Sequence, residues 1–266
     1  MSAEQDIVKT SINAYRSALE RAGYETSIDN DFFAWRDFVA STREVVPNWT
    51  FNPNRFCNIS RDGLFVSVFS KGIRVAVAAC RVFWTDDFAG MVEQGGLWWP
   101  RLPASSKPTD VHPATRALNL RGVITHGGGG MILPDYRGRG LPNFLVRWAQ
   151  LEGFLRWDPD WDTGVLRQDP PAGCRLAAKY GYPIEVPMVV GHSTVRNGPA
   201  RLNLVLIDRR RILNRAQNDA TMLIDGHRES LGNLARRLAD GTKQAEIAAE
   251  KSVVIEADAL INRRSG

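Results

Sequence analysis

The pattern of hydrophobic positions predicts two helices at the start of the chain. The first carries hydrophobic residues at helical spacing, Val8, Ile12, Tyr15 and Leu19. Ser2 and Gln5 have the spacing of a capping box before this helix, and Gly23 is a typical residue to end it. The second helix is amphipathic and carries Phe32, Phe33, Trp35, Phe38 and Val39.

Farther along, the pattern becomes typical of β-strands. Residues 64–69 and 73–79 flank Ser70-Lys71-Gly72, which predicts a hairpin with a glycine turn. Similar runs predict further strands over residues 123–126, 163–166, 186–192 and 202–207. Several prolines and the cluster Trp98-Trp99-Pro100 predict that residues 85–120 form an irregular insertion beside the sheet. This insertion is either a lid or acceptor wall, or its tryptophans simply cover the core.

A change of character after residue 208 predicts a helical C-terminal extension. Apolar residues at helical spacing occur on both sides of Asp225-Gly226, namely Ile212, Leu213 and Ala216, then Leu231, Leu234, Ala235 and Leu238. We therefore divide the chain into a domain over residues 1–208, which includes the 85–120 insertion, and an extension over residues 209–266. The extension could dock on the domain, pair with a second copy of the chain, or bind a partner.

The segment of residues 131–141 connects a predicted strand to a predicted helix through a glycine-rich loop. The helix has an apolar face made of Leu141, Phe144, Leu145, Trp148, Leu151 and Leu155. The N-terminus of a helix exposes backbone N–H groups and the positive end of the helix dipole, and both attract phosphate. Gly138 and Gly140 allow a ligand to approach closely, and Arg137 and Arg139 add positive charge. The segment is therefore predicted to bind a phosphate or pyrophosphate group.

Four consecutive glycines, Gly127 to Gly130, precede this loop. Consecutive glycines weaken a strand, so their presence in a predicted strand needs a structural explanation. Close approach of a ligand or of another backbone, or a β-bulge, is the usual one. A flexible surface turn is the alternative interpretation of the same residues.

Composition limits the functional classes. The chain has 266 residues, of which 44% are hydrophobic and 24% charged, as in soluble globular proteins. It contains no uninterrupted apolar run long enough to span a membrane, and its charged N-terminus lacks the apolar core of a signal peptide. The net charge of +5 is spread along the chain, without the basic stripe and interleaved aromatic residues that favour nucleic-acid binding.

The cysteines indicate a reducing compartment and no metal site. Cys57, Cys80 and Cys174 are widely spaced, and neither they nor the histidines have metal-ligand spacing. Reduced, mostly buried thiols in a cytoplasmic protein are therefore expected.

Residues 132–141, which read Ile-Leu-Pro-Asp-Tyr-Arg-Gly-Arg-Gly-Leu, resemble the acetyl-coenzyme A (acetyl-CoA) loop of GNAT N-acetyltransferases. That loop reads roughly V-x-P-x-Y-R-G-x-G-x-G/A after a strand. Here Pro142 replaces the last small residue and removes an N–H that could have faced a phosphate. The succession of strand, loop, helix, strand and helix that ends at Gly181-Tyr182 is a second, weaker point of resemblance.

The resemblance implies an α/β fold of the GNAT type, with a mixed, mostly antiparallel central sheet flanked by helices. In that fold the strand before the loop splays from its neighbour, and its backbone bonds the pantetheine arm of the co-substrate. The resemblance thus implies acetyl-CoA as co-substrate. It also implies a set of binding residues: Met131, Ile132, Leu133, Arg137, Gly138, Arg139, Gly140, Leu141 and Asn143.

The catalytic groups are less well defined by the sequence. Direct attack of an amine on a thioester needs a base for the ammonium proton and an acid for the departing thiolate. His126 is the candidate base because it precedes the cofactor strand and because the ordinary pKa of histidine suits a proton acceptor. Glu93, in the insertion, is a second candidate, suited to attract a cationic acceptor. Ala177 stands where many family members carry a tyrosine, and Tyr180 has a helical phase that should direct it elsewhere.

Together these features predict transfer of an acetyl group from acetyl-CoA to a small-molecule or protein amine. Pro142, Ala177 and the long extension favour instead a catalytically silent GNAT-like module with a structural or interaction role in a larger assembly. A related acyl-group user, similar to acyl-homoserine lactone synthases or aminoacyl transferases, is the third alternative.

Overall fold

A computed structural model describes residues 2–42, 48–168, 176–195 and 197–242 of the chain. The strands are β1 (Glu25–Asp29), β2 (Gly63–Ser70), β3 (Ile73–Thr85), β4 (Gly122–Ile132), β5 (Trp161–Arg167), β6 (Ile184–Ser193) and β7 (Gly198–Asp208). The helices are α1 (Ala3–Arg21), α2 (Phe32–Ala40), α3 (Ile59–Asp62), α4 (Phe88–Glu93), α5 (Pro113–Ala117), α6 (Leu141–Trp157), α7 (Leu176–Tyr180) and α8 (Arg209–Asp225). Residues 231–242 form a further helix, α9, and short 3₁₀ helices lie at Trp49–Phe51 and Pro134–Tyr136.

The strands form one seven-stranded sheet in the order β1-β2-β3-β4-β5-β7-β6. All neighbouring strands pair antiparallel except β4 and β5, which are parallel. A parallel pair needs a crossover connection, and here the glycine-rich loop and α6 provide it. The predicted mixed, mostly antiparallel sheet flanked by helices is therefore confirmed.

The first elements form largely as the sequence predicts. The Ser2 hydroxyl accepts a hydrogen bond from the Gln5 backbone N–H at 3.3 Å and caps α1. The β2–β3 hairpin turns at Lys71 and Gly72, which have φ of 53° and 75°, as a tight hairpin turn requires. The hydrophobic pattern does not predict β1, because this short edge strand is mostly polar.

Both faces of the sheet are covered by hydrophobic core. On one face, α1, α6, α8 and α9 pack against the sheet, with Trp148 and Phe144 at the centre. On the other face, α2 and the first 3₁₀ helix cover one half of the sheet, and the 85–120 insertion covers the other half. Trp98 is buried within the insertion, which confirms that this residue covers the core.

The described part of the C-terminal extension docks on the same core. Helix α8 packs along α1, and α9 contributes Leu231, Leu234 and Leu238 to the cluster around α6. Residues 243–266 lie outside the described residues. The proposed boundary at residue 208 stays a prediction.

Three further observations concern the described residues. None of their helices combines the length and the apolar character needed to cross a membrane, and no group of His, Cys, Asp or Glu side chains is placed to hold a metal ion. Cys80 is buried as expected, whereas Cys57 is exposed. Cys174 lies outside the described residues.

Candidate active site

The two parallel strands separate near the centre of the sheet. They pair only as far as Gly127 of β4 and Gly164 of β5, after which β4 follows β3 and β5 follows β7. The Tyr182 hydroxyl lies at this point, within hydrogen-bond distance of the Thr163 carbonyl oxygen (3.0 Å) and the Asp162 carboxylate (2.8 Å). Beyond Gly127, the backbone of β4 therefore borders a gap on the side away from β3.

The four glycines of β4 allow close packing around this gap. A Cβ on Gly127 would lie 2.9 Å from the Tyr182 hydroxyl. A Cβ on Gly129 would lie 2.6 Å from the Trp35 ring, and Gly129 has φ of 56° where the register with β3 shifts. The predicted bulge is therefore confirmed, and the surface-turn interpretation is wrong. Gly130 is exposed at the edge of the gap.

The loop before α6 presents backbone donors. Among the described residues, the N–H groups of residues 138–141 have no protein acceptor. Gly138 and Gly140 have φ of 77° and 83°, which glycine adopts at little cost, and Gly140 is the N-cap of α6. Pro142 follows in the first turn and has no N–H. The loop thus combines consecutive donors with the positive end of a helix, which is the arrangement that binds phosphate.

Two cavities adjoin at this loop. The strand-side cavity, of about 320 Å³, lies between the end of β4 and the first turns of α6. The loop-side cavity, of about 540 Å³, lies between the loop, α7 and α9. Pro142 and Tyr180 line both cavities, so the two cavities adjoin at these residues, and we refer to the pair as the cleft. Each volume falls in the range typical of small-molecule sites.

The predicted cofactor-binding residues divide into two groups in the structure. One group lines the cleft: Met131, Ile132 and Arg137 on the strand side, and Gly138, Gly140 and Asn143 on the loop side. The side chains of Leu133, Arg139 and Leu141 line neither cavity. Leu141 is buried in the core, and the Arg139 guanidinium donates to the Asp135 carbonyl at 2.9 Å and lies over the Tyr136 ring. The binding roles of all these residues stay predictions.

Helical phase predicts that Tyr180 points away from the cleft, and the structure shows that this is wrong. Tyr180 is the last residue of α7, and it lines both cavities. The next residue, Gly181, has φ of 83° and turns the chain out of the helix. Because the helix ends at Tyr180, helical phase alone does not fix the direction of this side chain. Ala177 is buried in the core.

His126 lies in the interior of the protein. Its ring packs between Phe51 and Phe83, and its Nδ1 lies 3.0 Å from the Thr163 hydroxyl. Burial, and secondarily the nearby Arg81 guanidinium, lower the pKa of His126 to about 3. The imidazole is therefore neutral near neutral pH but only a weak base, and it lines neither cavity. Its catalytic role stays a prediction.

Glu93 holds parts of the insertion together. Its carboxylate pairs with Arg116 at 2.8 Å, and its carbonyl accepts a hydrogen bond from the Thr109 N–H at 2.8 Å. It does not line either cavity. Its catalytic role likewise stays a prediction.

A buried polar cluster, which the sequence analysis does not predict, supports the point where the strands separate. The Asp162 carboxylate accepts hydrogen bonds from the Thr125 hydroxyl at 2.6 Å and the Tyr182 hydroxyl at 2.8 Å. Burial raises the pKa of Asp162 to about 6, although these hydrogen bonds favour the charged form. The cluster joins β4, β5 and the segment after α7, and so fixes how the two strands part.

Comparisons with known proteins give fold-level similarities only. Neither the protein-family models nor the curated protein sequences match this chain. Among solved structures, Arabidopsis thaliana NAA60 in complex with acetyl-CoA aligns with a TM-score of 0.45 and 10% identity, over 70% of this chain and 99% of that one. The spermidine N-acetyltransferase SpeG F149A mutant from Vibrio cholerae aligns with a TM-score of 0.43 and 10% identity, over 73% and 98% of the two chains. The CoA-dependent acyl-homoserine lactone synthase BjaI aligns with a TM-score of 0.39 and 16% identity, over 73% and 81%.

The architecture itself matches what the sequence resemblance implies. A single parallel pair lies within the mostly antiparallel sheet, its strands separate halfway, and the loop and helix that connect them border the gap. The fold is GNAT-like. In this GNAT-like fold the cleft borders the separated strand and the glycine-rich loop, the two features to which the resemblance assigns acetyl-CoA.

We expect His126 to make the GNAT-like domain less stable in acid. Its folded-state pKa is lowered from 6.5 to about 3, so the unfolded chain binds a proton first as the pH falls. The stability due to the neutral imidazole is therefore fully present above pH 6.5 and is lost as the pH falls towards 3. A His126→Gln variant should lose less unfolding free energy than the wild type between about pH 7 and about pH 4 in urea titrations.

The control for this measurement is His227→Gln, at an exposed histidine. It should lose as much stability in acid as the wild type. Equal losses in the wild type and both variants would contradict the effect ascribed to His126.

Proposed function

We propose that this protein is an N-acetyltransferase that moves the acetyl group of acetyl-CoA to an amine acceptor. The observation that carries the proposal is the cleft of two adjoining cavities, which extends from the gap beside β4 to loop amides that have no acceptor among the described residues. Acetyl-CoA has an apolar pantetheine arm followed by a pyrophosphate. The arm needs a gap beside a strand, and the pyrophosphate needs backbone donors next to that gap.

The residues of the cleft suit acetyl-CoA part by part. The strand-side cavity, bordered by Met131 and Ile132, is lined mainly by apolar groups and by the backbone of β4, which suits the pantetheine arm. The amides of residues 138–141 suit the pyrophosphate. Tyr180, which lines both cavities, would contact the co-substrate where it passes from one to the other.

We propose that the protein promotes acetyl transfer by holding the thioester of acetyl-CoA in position for the amine. Acetyl-CoA, when bound, supplies an activated thioester. The loop amides and the wall residues of the cleft would hold that thioester in a fixed orientation for an incoming amine, and orientation alone lowers the barrier substantially. The assignment of a proton acceptor to His126 or Glu93 remains a hypothesis from the sequence.

A catalytically silent acyl-CoA-binding module is the second candidate function. It is favoured by the burial and low pKa of His126 and by the ion pair that holds Glu93. Such a module would bind coenzyme A in the same cleft but would release no thiol from acetyl-CoA when amines are added.

Binding and transfer can be tested in sequence. Coenzyme A at about one hundred times its Kd should stabilise the protein by about 2.7 kcal/mol, seen as a higher Tm. Tyr180→Ala should weaken binding about tenfold, because it removes a large wall side chain that both cavities share. Phe33→Ala, at an exposed aromatic residue of α2, is the matched control and should bind normally.

Thiol release from acetyl-CoA with a panel of amines then separates the two candidate functions. Release with any amine supports the acetyltransferase, and binding without release supports the silent module. The absence of a Tm shift at millimolar coenzyme A would reject both.

A further inference from the structure

The far wall of the loop-side cavity comes from the C-terminal extension. Helix α9 contributes Gly232, Asn233, Ala235, Arg236 and Ala239 to the lining, opposite Gly138 and Gly140 of the loop. This helix lies outside the part of the chain that resembles the GNAT family. The cleft is therefore closed on one side by an element that the resemblance does not assign.

Buried bonds from α6 fix α9 relative to the loop. The Asn143 side-chain amide donates to the Ala235 carbonyl at 2.7 Å. One turn farther along α6, the Arg147 guanidinium donates to the Leu238 carbonyl at 2.8 Å and to the Thr242 hydroxyl at 2.7 Å. Since the loop leads directly into α6, these bonds set the distance between α9 and the loop amides.

The loop-side cavity carries positive charge from two helices, α7 and α9. Arg236 and Lys179 line the loop-side cavity, and no acidic residue lines it within the described part of the chain. The Arg236 guanidinium donates to the Asn233 side chain at 2.5 Å and has no carboxylate partner among the described residues. The adjacent Arg237 differs, because it forms an ion pair with Glu229 and does not line the cavity.

We infer that α9 completes the coenzyme A site and that Arg236 binds the phosphate monoester on the ribose of the coenzyme. This inference rests on the proposed function. The pyrophosphate is matched by the loop amides, so the ribose phosphate is the remaining anionic group to be held in the loop-side cavity. A guanidinium fork matches a phosphate in charge and in hydrogen-bond geometry.

Titration calorimetry with coenzyme A and with 3′-dephospho-coenzyme A tests the inference. The wild type should bind coenzyme A about tenfold more tightly than the dephospho form, as expected for a charge-assisted hydrogen bond. Arg236→Ala should weaken coenzyme A binding about tenfold and leave binding of the dephospho form unchanged, so the preference disappears. Arg237→Ala is the matched control, and it should keep the preference. Arg236→Lys should restore part of it.

The outcomes separate this inference from the proposed function. Binding of both ligands with equal affinity by the wild type, or a preference that survives in Arg236→Ala, would overturn the role of Arg236 while leaving the cleft intact. Failure of the wild type to bind either ligand would overturn the proposed function and the inference with it. The Tm of each variant without ligand should equal that of the wild type, since Arg236 is exposed on α9.

Discussion

Replacing Arg147 by alanine should lower the free energy of unfolding by about 3–5 kcal/mol. Arg147 is completely buried, and its guanidinium pairs with Asp219 at 2.9 Å. It also donates to carbonyl oxygens of α7 and α9, those of Ala178 and Leu238. Removal of the cation would leave the Asp219 carboxylate in the interior with the Tyr15 hydroxyl and the more distant Arg215 guanidinium, and without its closest cation. Loss of such a buried partner costs far more than the loss of an exposed ion pair.

Urea titration of Arg147→Ala measures this effect. Arg156→Ala, at an exposed position of the same helix, is the control and should change the free energy of unfolding by less than about 0.5 kcal/mol. The double variant Arg147→Met with Asp219→Leu should recover part of the lost stability, since it removes the buried carboxylate together with its closest cation. A loss below about 1 kcal/mol in Arg147→Ala would contradict a central role for this ion pair.

The second large effect is expected at Gly140. Gly140→Ala should destabilise the protein by about 2–4 kcal/mol, from left-handed backbone strain together with a steric clash. Gly140 has φ of 83°, and an added Cβ would lie 2.6 Å from the Cβ of Ala235 on α9. Relief of that clash would move α9 away from the loop, so coenzyme A binding should weaken as well.

Gly138→Ala is a closely matched control. Gly138 has φ of 77°, but a Cβ added there would have no atom within 4 Å. It should therefore show only the backbone strain, about 1–2 kcal/mol. Urea titration gives the stability of both variants, and calorimetry gives their affinity for coenzyme A. Equal destabilisation by the two substitutions would show that α9 does not press on the loop.

Where the sequence predicts the fold well, local chemistry decides the conformation. The β2–β3 hairpin follows from its alternating apolar runs and from a turn that favours glycine, and α1 follows from its cap and its apolar face. The phosphate-binding interpretation of the loop also depends on local features, namely glycine backbone freedom and the start of a helix. All of these lie within a few residues of one another along the chain.

Where the predictions from the sequence fail, contacts between distant segments decide the position and environment of a side chain. Tyr180 lines the cleft because α7 ends beside the first turn of α6 and beside α9. His126 has a low pKa because aromatic residues and Arg81 enclose it, not because of its sequence neighbours. Asp162 belongs to a buried cluster with Tyr182 that only the assembled sheet creates.

The sequence by itself determined the glycine-rich loop and the helix that follows it, because these depend on spacing and on local backbone preferences, whereas the mixed sheet around them was implied by the family resemblance. Only the tertiary structure decided that the strands part at Gly127 and Gly164, and that α9 lies against the loop. Both arrangements depend on buried side chains far apart along the chain, Tyr182 and Asp162 in the first and Asn143 and Arg147 in the second. Spacing along a sequence carries no information about which distant polar groups will meet in the interior.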